Sequence, residues 1–389
     1  MNLFRKSYAE INLHHLKNNL SWIRSHFPKE NFLCPMVKAN GYGHGDVIVA
    51  KCLEAEGVNH MGVCLIEEAL WLHQAGIKSN ILVFRGFDKQ GAEEIIERGF
   101  VPVVSQWDHL EYLTQANKGK AISIHVKFDT GMNRLGFPVK DASKIDEYLW
   151  QNKNFRLKGV LTHLHSGEDA LDANGKTQGQ LSLLAQVAPI FKKYNPAVHA
   201  LNSAGVLAKV AVEQQKFKVK FDPTLGVRPG LLLYGYAPKM NFANEFQNEI
   251  KPVMTLKSHL SEIRFVSKGS GVSYSHTWIA MQDSVIGIVP IGYADGVHRN
   301  LSNKGLVSVH GQLVPIVGNI CMDYLMIDLT AIMKLKIEKN DGVILFGYTD
   351  QMGYQQTAAT YADVLETIPW EILTSMSIRV PRVIVESSQ

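Results

Sequence analysis

Short apolar runs alternate with helical patterns across the first two-thirds of the chain, and this alternation constrains the fold more than any other feature. Eight runs have the length and apolar content of buried β-strands: Cys34–Ala39, His60–Leu65, Ile81–Gly86, Val101–Ser105, Ile122–Asp129, Leu157–His165, Ala197–Asn202 and Arg228–Tyr236. Helical patterns separate most of them, for example Asp46–Glu56, Ala92–Arg98 and Gln180–Tyr194. Eight β/α units over about 240 residues predict an α/β fold, a (β/α)8 TIM barrel. An open doubly wound parallel sheet is the alternative that this rhythm leaves.

The rhythm changes in the last third of the chain. Six further runs have strand patterns and are joined by turns that contain glycine and aspartate: Met254–Val266, Ser284–Pro290, Leu306–Val309, Leu313–Val317, Tyr324–Leu329 and Gly342–Phe346. One helix is predicted near Thr357–Thr367. We therefore expect a C-terminal, mostly antiparallel β domain at residues 246–389, after a barrel at residues 1–245. The first residues of the chain are expected to be able to pack on the β domain.

The composition is that of an ordinary globular protein. Hydrophobic residues make up 46% and charged residues 20%, and the net charge is only +4. No lysine and arginine cluster is dense enough to follow a nucleic-acid backbone, and no run approaches the roughly 18 apolar residues of a membrane span. Cys34, Cys52, Cys64 and Cys321 lack metal-binding spacing, so we expect no metal site. Without an export signal, and with reduced thiols, the expected location is the cytoplasm, without nucleic-acid or membrane partners.

Polar residues gather where the predicted strands end, and in a barrel these ends converge on the face that holds active sites. Lys38 ends the first strand and leads into Ala39–Gly45, whose glycines let a ligand approach the backbone. A partly desolvated lysine in this place can lose its proton and form a Schiff base. Taken alone, however, Lys38 fits a solvated lysine better, and His163, after the sixth run, fits a core histidine better.

The ends of the last two barrel strands suit a phosphate group. Asn202 or Ser203 is predicted to open the next helix as its N-cap, and a helix N-terminus attracts anions. Barrels often hold phosphate at the loops after strands seven and eight. The eighth strand is predicted to begin at Arg228-Pro229-Gly230, again with a glycine for close approach. The barrel mouth is thus expected to gather Lys38, His163, Arg134, Arg228 and a helix start.

The motifs at these positions resemble those of alanine racemases, which use pyridoxal phosphate (PLP). Val37–Gly45 resembles the motif that carries their PLP-binding lysine. The resemblance continues in order through nearly the whole chain, at Asp129–Gly136, Thr162-His163, Asn202–Ala204, Arg228–Gly230, Leu233–Gly235, Gly271–Tyr274, Ile291–Gly296, Gly318–Asp323 and Arg379–Arg382. The implied fold, a PLP-binding barrel followed by a β domain, agrees with the strand pattern. The implied activity interconverts L-alanine and D-alanine and supplies D-alanine for peptidoglycan.

The resemblance also implies a two-base mechanism, because racemisation needs a base on each face of the planar carbanion. Lys38 resembles the lysine that binds PLP and acts on one face, and Tyr274 resembles the base on the opposite face. A free phenol has a pKa of about 10 and needs a nearby positive charge to act as a base at neutral pH, a role that the resemblance assigns to His163 and Arg228. Arg228 also resembles the arginine that faces the pyridine nitrogen and, as a pure donor, keeps it unprotonated.

Further contacts follow from the same resemblance. The residues expected to contact PLP are Lys38, Tyr42, His163, Asn202, Ser203, Arg228, Gly230 and Leu231, with the phosphate held by Tyr42, Ser203 and the backbone at Gly230 and Leu231. Arg134 resembles a residue that touches the substrate carboxylate, and Lys127 resembles a lysine that is often carbamylated and orients that arginine. Tyr293 and Arg299 resemble residues of the entry corridor, and Met322 resembles one that offers the substrate a backbone contact.

The family forms head-to-tail homodimers, so Tyr274 and Met322 are expected to complete the active site of the partner subunit. Two departures from the family pattern are present. Leu164-His165 follows Thr162-His163 where many members have Phe-Ala, and Ile378 stands where some members have a tyrosine that reaches the phosphate. The second departure predicts one phosphate hydrogen bond fewer, and neither touches a proposed base.

Three other functions share parts of this pattern. A racemase of wider scope would act on serine or basic amino acids, and the lack of an export signal weighs against its periplasmic form. A barrel-type PLP decarboxylase would act on basic amino acids or diaminopimelate, but Tyr274 and Arg228 favour racemisation. A non-catalytic PLP carrier resembles a barrel alone, so the β domain argues against it.

Overall fold

The computed structural model of the 389-residue chain describes residues 4–214, 219–240, 246–349, 353 and 356–386. The chain divides into two compact units. The barrel unit contains Lys17–Gly41 and Asp46–Ile250, and the β unit contains Met1–Leu16, Tyr42–Gly45 and Lys251–Gln389.

Parallel strands form the sheet of the barrel unit. Within the described ranges seven of them follow one another in the sheet: His60–Val63, Asn80–Val83, Val101–Val104, Ile122–Asp129, Phe155–Leu161, Ala197–Leu201 and Gly226–Val227. The segment before Lys38 joins the two edges of this sheet, because Leu33 forms a parallel bridge with Val227 and Met36 forms one with Gly62. An eighth, strand-like segment therefore closes the ring, and the predicted barrel is confirmed.

Helices alternate with these strands. Up to Glu213, the described α-helices of more than five residues are Leu13–Ser25, Asp46–Ala55, Ile66–Gln74, Lys89–Arg98, Trp107–Ala116, Ala142–Gln151, Lys176–Val187 and Ser203–Glu213. Shorter elements are the two-residue strand Phe137–Pro138 and the 3-10 turns Val139–Asp141 and Gly167–Asp169. The predicted helix Gln180–Tyr194 is wrong in its second half, where Ala188–Tyr194 forms a 3-10 helix. Pro189 explains the change, because proline has no N–H to donate within an α-helix.

The first and eighth predicted strands are wrong in their bounds. The chain before Lys38–Tyr42 makes only isolated bridges, and Lys38–Tyr42 itself is a short helical segment. The eighth strand is Gly226–Val227, so Arg228 follows it instead of beginning it, and Leu231–Tyr234 forms a 3-10 helix. Pro229 cannot donate to a strand ladder, which accounts for the early end of the strand.

One apolar cluster ties the closing segment to the strands around it. Cys34, Leu82, Val103 and Leu161 are buried together, and they come from the closing segment and three different strands. Because burial of apolar side chains is the main favourable term in folding, this cluster favours the closed ring over an open sheet.

The β unit contains three sheets. The largest has the strand order Gln312–Pro315, Leu306–Val309, Gly342–Phe346, Met254–His259, Tyr8–Asn12 and Arg382–Val385. The second has the order Glu262–Val266, Ser284–Val289 and Leu325–Asp328, and the third pairs Gly271–Val272 with Trp278–Ile279. Within the described residues every pairing is antiparallel except that of Tyr8–Asn12 with Arg382–Val385. The predicted antiparallel β architecture is thus confirmed.

Some elements of the β unit differ from the sequence prediction. The run Met254–Val266 is two strands in different sheets, because Leu260 donates to the carbonyl of Asp341 and Ser261 donates to that of Ile288. The predicted helix near Thr357–Thr367 is Ala358–Val364, and the helix Pro369–Thr374 follows it unforeseen.

Membrane-spanning helices and metal-binding clusters are both absent from the described residues. No helix in these ranges is long and apolar enough to cross a membrane. Among the same residues, no group of three histidine, cysteine, aspartate or glutamate side chains is arranged to hold a metal ion.

Candidate active site

Lys38 directly follows the closing segment of the barrel and begins a left-handed turn. Ala39, Asn40 and Gly41 have φ of 52°, 54° and 60° with ψ between 44° and 54°. For residues other than glycine this conformation costs roughly 1–2 kcal/mol each, so tertiary contacts must hold it. Gly41 N–H closes the turn on the carbonyl oxygen of Val37 at 2.9 Å.

Glu68 supplies one of the contacts that hold this turn. Its buried carboxylate accepts from the backbone N–H of Ala39 at 2.7 Å, and from those of Cys64 at 2.7 Å and Leu65 at 3.0 Å. The turn is thereby tied to the start of the helix Ile66–Gln74. Tyr42–Gly45, which continues the chain, belongs to the β unit, where Arg382 Nε donates to the carbonyl of Gly43 at 3.0 Å.

Arg228 is a buried guanidinium, and its hydrogen-bond partners in the described chain are an imidazole and two carbonyl groups. Its Nη1 donates to Nδ1 of His199 at 2.7 Å, and its Nη2 donates to the carbonyl oxygens of Thr162 at 2.6 Å and Ala200 at 3.2 Å. Burial lowers the pKa of Arg228 to about 10, so the guanidinium stays charged at neutral pH. The site therefore contains a buried positive charge that these contacts do not neutralise.

His199 connects Arg228 to His125 through its second ring nitrogen. Nε2 of His199 lies 2.8 Å from Nδ1 of His125. Burial lowers the pKa of His125 to about 3 and that of His199 well below its usual value, so both rings are neutral. Because Arg228 has only donors, His199 accepts at Nδ1 and donates from Nε2. A side chain at Gly159 would overlap the ring of His125, so this neighbour has to be glycine.

His163 and Lys127 lie within the electrostatic reach of Arg228. Burial, followed by the charges of Arg228, Lys127, Arg134 and Lys38, lowers the pKa of His163 well below its usual value. Burial, followed by Arg228 and Arg134, lowers the pKa of Lys127 to about 8. His163 is therefore neutral, and a fraction of Lys127 is a free amine at neutral pH. Four predicted site residues of the barrel unit thus lower the pKa of His163 through their charges.

The helix Ser203–Glu213 begins with the predicted cap. Asn202 Oδ1 accepts from the N–H of Gly205 at 3.0 Å, which confirms Asn202 as the N-cap. The buried Ser203 Oγ accepts from the N–H groups of Gly230 and Leu232, each at 3.2 Å. Its hydroxyl proton remains for an acceptor, and the first amides of a helix have no partner within the helix. These groups form a cradle suited to an anion.

Tyr274 stands at the tip of the two-stranded hairpin in the β unit, and its side chain is 71% exposed. The backbone of this tip is unusual, because Ser273 has φ 64° and ψ −173°, Ser275 has φ 60° and His276 has φ 45°. The conformation of Ser273 is nearly restricted to glycine, and such residues cost about 1–3 kcal/mol each. The tip keeps its shape only where neighbouring groups enforce it.

Tyr293 and Met322 lie on two turns of the β unit that are bonded to each other. The N–H of Tyr293 donates to the carbonyl of Cys321, and that of Ala294 donates to the carbonyl of Met322, each at 3.0 Å. A side chain at Gly292 would overlap the carbonyl groups of this second turn. The side chains of Tyr293 and Met322 are both exposed.

Asp295 stabilises the turn that carries Tyr293. Its fully buried carboxylate accepts from Nη1 of Arg5 at 2.7 Å, from Nη2 of Arg5 at 2.5 Å and from the N–H of Gly292 at 3.1 Å. Arg299, three residues beyond Gly296, begins a separate 3-10 turn in the same unit.

Comparison with known proteins identifies the family. The sequence-family models of the alanine racemase N-terminal domain and C-terminal domain match residues 11–238 and 253–384, respectively. The chain belongs to the alanine racemase family. The curated alanine racemase of Thermodesulfovibrio yellowstonii is 37% identical over 381 residues, with 96% of each chain covered. That of Sorangium cellulosum is 36% identical and covers 97% of this chain and 98% of its own.

Solved alanine racemase structures are similar over the whole chain. The Clostridium difficile 630 enzyme aligns with a TM-score of 0.88 at 30% identity, covering 100% of this chain and 98% of its own. The Bartonella henselae enzyme, solved with covalently bound pyridoxal phosphate, aligns with a TM-score of 0.84 at 29% identity, covering 98% and 99%. The predictions of an alanine racemase family member, of a PLP-dependent isomerase and of its fold are confirmed.

The donors of the barrel unit fit what an alanine racemase needs to hold PLP. Lys38 offers an amine, Arg228 offers a charged donor for a ring nitrogen, and the Ser203 cradle suits a phosphate. The predicted site residues of this unit are Lys38, Lys127, Arg134, His163, Asn202, Ser203, Arg228, Gly230 and Leu231. Those of the β unit are Tyr42, Tyr274, Tyr293, Arg299 and Met322.

Sequence reasoning missed three residues that support predicted site residues. His125 and His199 fix the donor direction around Arg228, and Glu68 holds the turn that carries Lys38. One signal was available for His125, which stands two residues before Lys127 in a strand of buried residues and therefore shares its face. His199 gave no comparable signal, because Arg228 and His125 lie 29 and 74 residues away in sequence, and the contact of Glu68 with Ala39 also spans 29 residues.

Proposed function

We propose that this chain interconverts L-alanine and D-alanine with two bases, Lys38 on one face of the substrate and Tyr274 on the other. The observation that carries the proposal is the placement of Lys38 and Arg228. Each directly follows a segment at the closure of the barrel, where Met36 N–H donates to the carbonyl of Pro229 at 2.9 Å. An amine and a buried cation at adjacent strand ends are what PLP chemistry on an amino acid requires.

When bound, PLP would supply an electron sink that weakens the bond between Cα and its proton, and Lys38, Arg228 and the cradle at Ser203 would hold it. The protein has to remove that proton from one face and supply a proton to the other. Lys38 takes the proton of D-alanine, and Tyr274 takes that of L-alanine. When L-alanine is the substrate, Lys38 supplies the new proton. When D-alanine is the substrate, Tyr274 supplies it, so that the two enantiomers interconvert.

Arg228 has two roles in this proposal. As a donor-only group it keeps the ring nitrogen of the cofactor an acceptor, which limits how far electron density is drawn away from Cα. It also supplies the positive charge that a phenol needs to act as a base near neutral pH. The neutrality of His163 supports the second role, because the charge of this network then comes from Arg228 and not from the imidazole.

The phosphate is held at the start of the helix Ser203–Glu213. Asn202 orients the helix start, and Ser203 Oγ, already accepting two backbone N–H bonds, donates its own proton to the phosphate. The other groups that bind the phosphate are the backbone at Gly230 and Leu231 and the hydroxyl of Tyr42.

The substrate carboxylate is bound by Arg134, and Lys127 orients that arginine. A lysine with a pKa of about 8 is partly a free amine at neutral pH, so it can attack carbon dioxide and lose a proton to become a carbamate. The resulting negative charge would pair with Arg134. Met322 offers the substrate a backbone contact, and Tyr293 and Arg299 line its route of entry.

The active unit is a head-to-tail homodimer in which Tyr274 and Met322 complete the site of the partner subunit. Exposure supports this arrangement, because Tyr274, Tyr293, Met322 and Tyr324 are 71%, 43%, 53% and 49% exposed within the β unit. Neighbouring exposed apolar and aromatic side chains are typical of a surface that a partner covers. In this arrangement residues 1–245 carry PLP and residues 246–389 carry the second base.

Product analysis tests the function directly. The holoenzyme is given each L-amino acid in turn, and the products are separated by chiral chromatography. We expect D-alanine from L-alanine at a rate far above that of any other pair, in a cytoplasmic enzyme that serves peptidoglycan synthesis. Faster racemisation of serine or of a basic amino acid would support the wider-scope racemase, and release of carbon dioxide would support the decarboxylase.

A further inference from the structure

The backbone around Tyr274 is held in a conformation that it would not adopt alone. Ser273, Ser275 and His276 all have positive φ, and none of them is glycine. Tyr274 itself sits between two of these residues at the end of a hairpin whose strands are two residues long. So short a hairpin cannot impose three left-handed residues, and the restraint must come from another part of the β unit.

That restraint comes from Asn319, which is bonded to the chain on both sides of the Ser273–Tyr274 peptide. Nδ2 of Asn319 donates to the carbonyl oxygen of Tyr274 at 2.8 Å. In the other direction, Ser273 Oγ donates to the carbonyl oxygen of Asn319 at 2.5 Å. One residue thus contacts the tip through its side chain and its backbone together, and we call this pair of bonds the Asn319 clamp.

The segment that carries Asn319 is itself fixed against the hairpin. A side chain at Gly318 would overlap Val272 and Ser273, so the backbone of the Asn319 segment contacts the hairpin directly at this point. The N–H of Gly318 donates to Oδ1 of Asn303 at 2.6 Å, and that of Ile320 donates to Oγ of Ser302 at 2.9 Å. The clamp therefore rests on a braced segment and not on a free loop.

The phenol of Tyr274 depends on its backbone more than most side chains do. The ring is exposed within the β unit, so few contacts of this unit's own side chains orient it. A displacement of about 1 Å at a reacting group can cost about 10²-fold in rate. Whatever fixes the peptide of Tyr274 then fixes where its oxygen can reach.

We propose that Asn319 and Ser273 are positioning residues that set the direction of the Tyr274 phenol by clamping its peptide. The inference rests on the proposed role of Tyr274 as the base for L-alanine. The clamp acts on one base alone, so its loss should affect proton removal from one enantiomer more than from the other. A residue that merely stabilises the fold would affect both equally.

The test measures exchange of the Cα proton in deuterated water, separately for L-alanine and D-alanine, with PLP-loaded enzyme. Asn319→Asp is nearly isosteric but replaces the donating amide with an oxygen that repels the carbonyl of Tyr274. Ser273→Ala removes the hydroxyl of the second bond. For each variant we expect exchange from L-alanine to fall about 10-fold or more, and exchange from D-alanine to fall clearly less. KM should stay within about threefold, and the PLP absorbance should be unchanged.

Asn340→Asp is the matched control. Asn340 is in the same unit, has a positive φ of 77° and accepts from Lys6 Nζ at 3.0 Å, and the substitution makes the same change of charge away from Tyr274. We expect exchange from both enantiomers to stay as in the unsubstituted enzyme. If Asn319→Asp fails to load PLP, Ser273→Ala carries the test.

The outcomes separate this inference from the function on which it rests. Equal loss for both enantiomers, no loss, or a rise in KM alone would overturn the clamp. Tyr274→Phe measured alongside tests the base: if it shows no preference for L-alanine, the proposed function fails first. In a Tyr274→Phe background, Asn319→Asp should add little further loss, because the clamp acts through the phenol.

Discussion

Nη1 of Arg228 lies 2.7 Å from Nδ1 of His199, and this contact sets the direction of the next hydrogen bond in a buried chain that continues to His125. A guanidinium only donates, so Nδ1 of His199 accepts and its Nε2 carries the proton that bonds His125. Protonating either ring would leave two donors facing each other. Arg228 is therefore held by neutral neighbours and keeps its charge for the site.

The first prediction concerns His199 as the acceptor for Arg228. His199→Leu removes the acceptor and leaves a buried N–H of the guanidinium unpaired, which typically costs about 1–3 kcal/mol. We expect the free energy of unfolding to fall by that amount and kcat to fall with it. Chemical denaturation at fixed protein concentration and steady-state kinetics measure both quantities.

His199→Asn is the matched variant, because its Oδ1 stands near the position of Nδ1 and still accepts. It should keep more stability and activity than His199→Leu. Equal effects of the two substitutions would mean that packing matters at this position and the hydrogen bond does not.

The second prediction concerns the pH dependence of stability. Burial lowers the folded-state pKa of His125 to about 3 and holds those of His163 and His199 below their usual value. Between pH ~6.5 and the folded pKa, the unfolded chain binds protons that the folded chain does not. The free energy of unfolding therefore falls as pH falls through this window, by up to about 1.4 kcal/mol per pH unit for each histidine.

His125→Asn tests the slope because asparagine cannot be protonated and keeps an acceptor toward His199. We expect the loss of stability from about pH 6 to about pH 5 to be smaller than in the unsubstituted enzyme by about one histidine's share. His73→Gln, at an exposed position, is the control. An unchanged slope in His125→Asn would contradict the neutral state assigned to that ring.

The third prediction concerns Lys38 as the residue that carries PLP. Lys38→Ala should lose the visible absorbance of lysine-bound PLP and the racemase activity together. Borohydride reduction followed by peptide mapping locates the label directly. Label on Lys127, which has a free-amine fraction at neutral pH, would refute the assignment.

Most strands and helices of the barrel could be predicted from the sequence, because the periodicity of apolar residues is a local signal. Apolar runs such as Ile122–Asp129 show their own periodicity, and the position of Lys38 at the end of the first predicted strand follows from the order of elements. The bounds near Pro229 failed because a run of apolar residues looks the same in a strand and in a 3-10 helix.

The contacts that give the site its charge state were beyond sequence reasoning. His125, His199 and Arg228 are brought together only when the strands that carry them pair in the sheet, across separations of 74 and 29 residues. The same holds for Asn319, which contacts Tyr274 from 45 residues away. No periodicity marks such pairs, because each depends on the register of elements that do not adjoin in sequence.

The fourth prediction concerns shared active sites. If Tyr274 completes the partner's site, a mixed dimer of Lys38→Ala and Tyr274→Phe chains contains one site with both bases. Mixing and reassembling the two inactive variants should restore activity, up to about a quarter of the normal level for random pairing. Verified mixed dimers without activity would place both bases in one subunit.

The fifth prediction concerns the two faces of the substrate. Tyr274→Phe removes the phenol oxygen, so in deuterated water exchange of the Cα proton should collapse for L-alanine and persist to a larger degree for D-alanine, which relies on Lys38. Net racemisation must still fall in both directions, because the equilibrium between the enantiomers is fixed at unity. Removing a general base typically costs about 10²–10⁴-fold, so the asymmetry is measurable. Equal loss from both enantiomers would show that Tyr274 acts by placing the cofactor, and unchanged exchange from L-alanine would remove it from the mechanism.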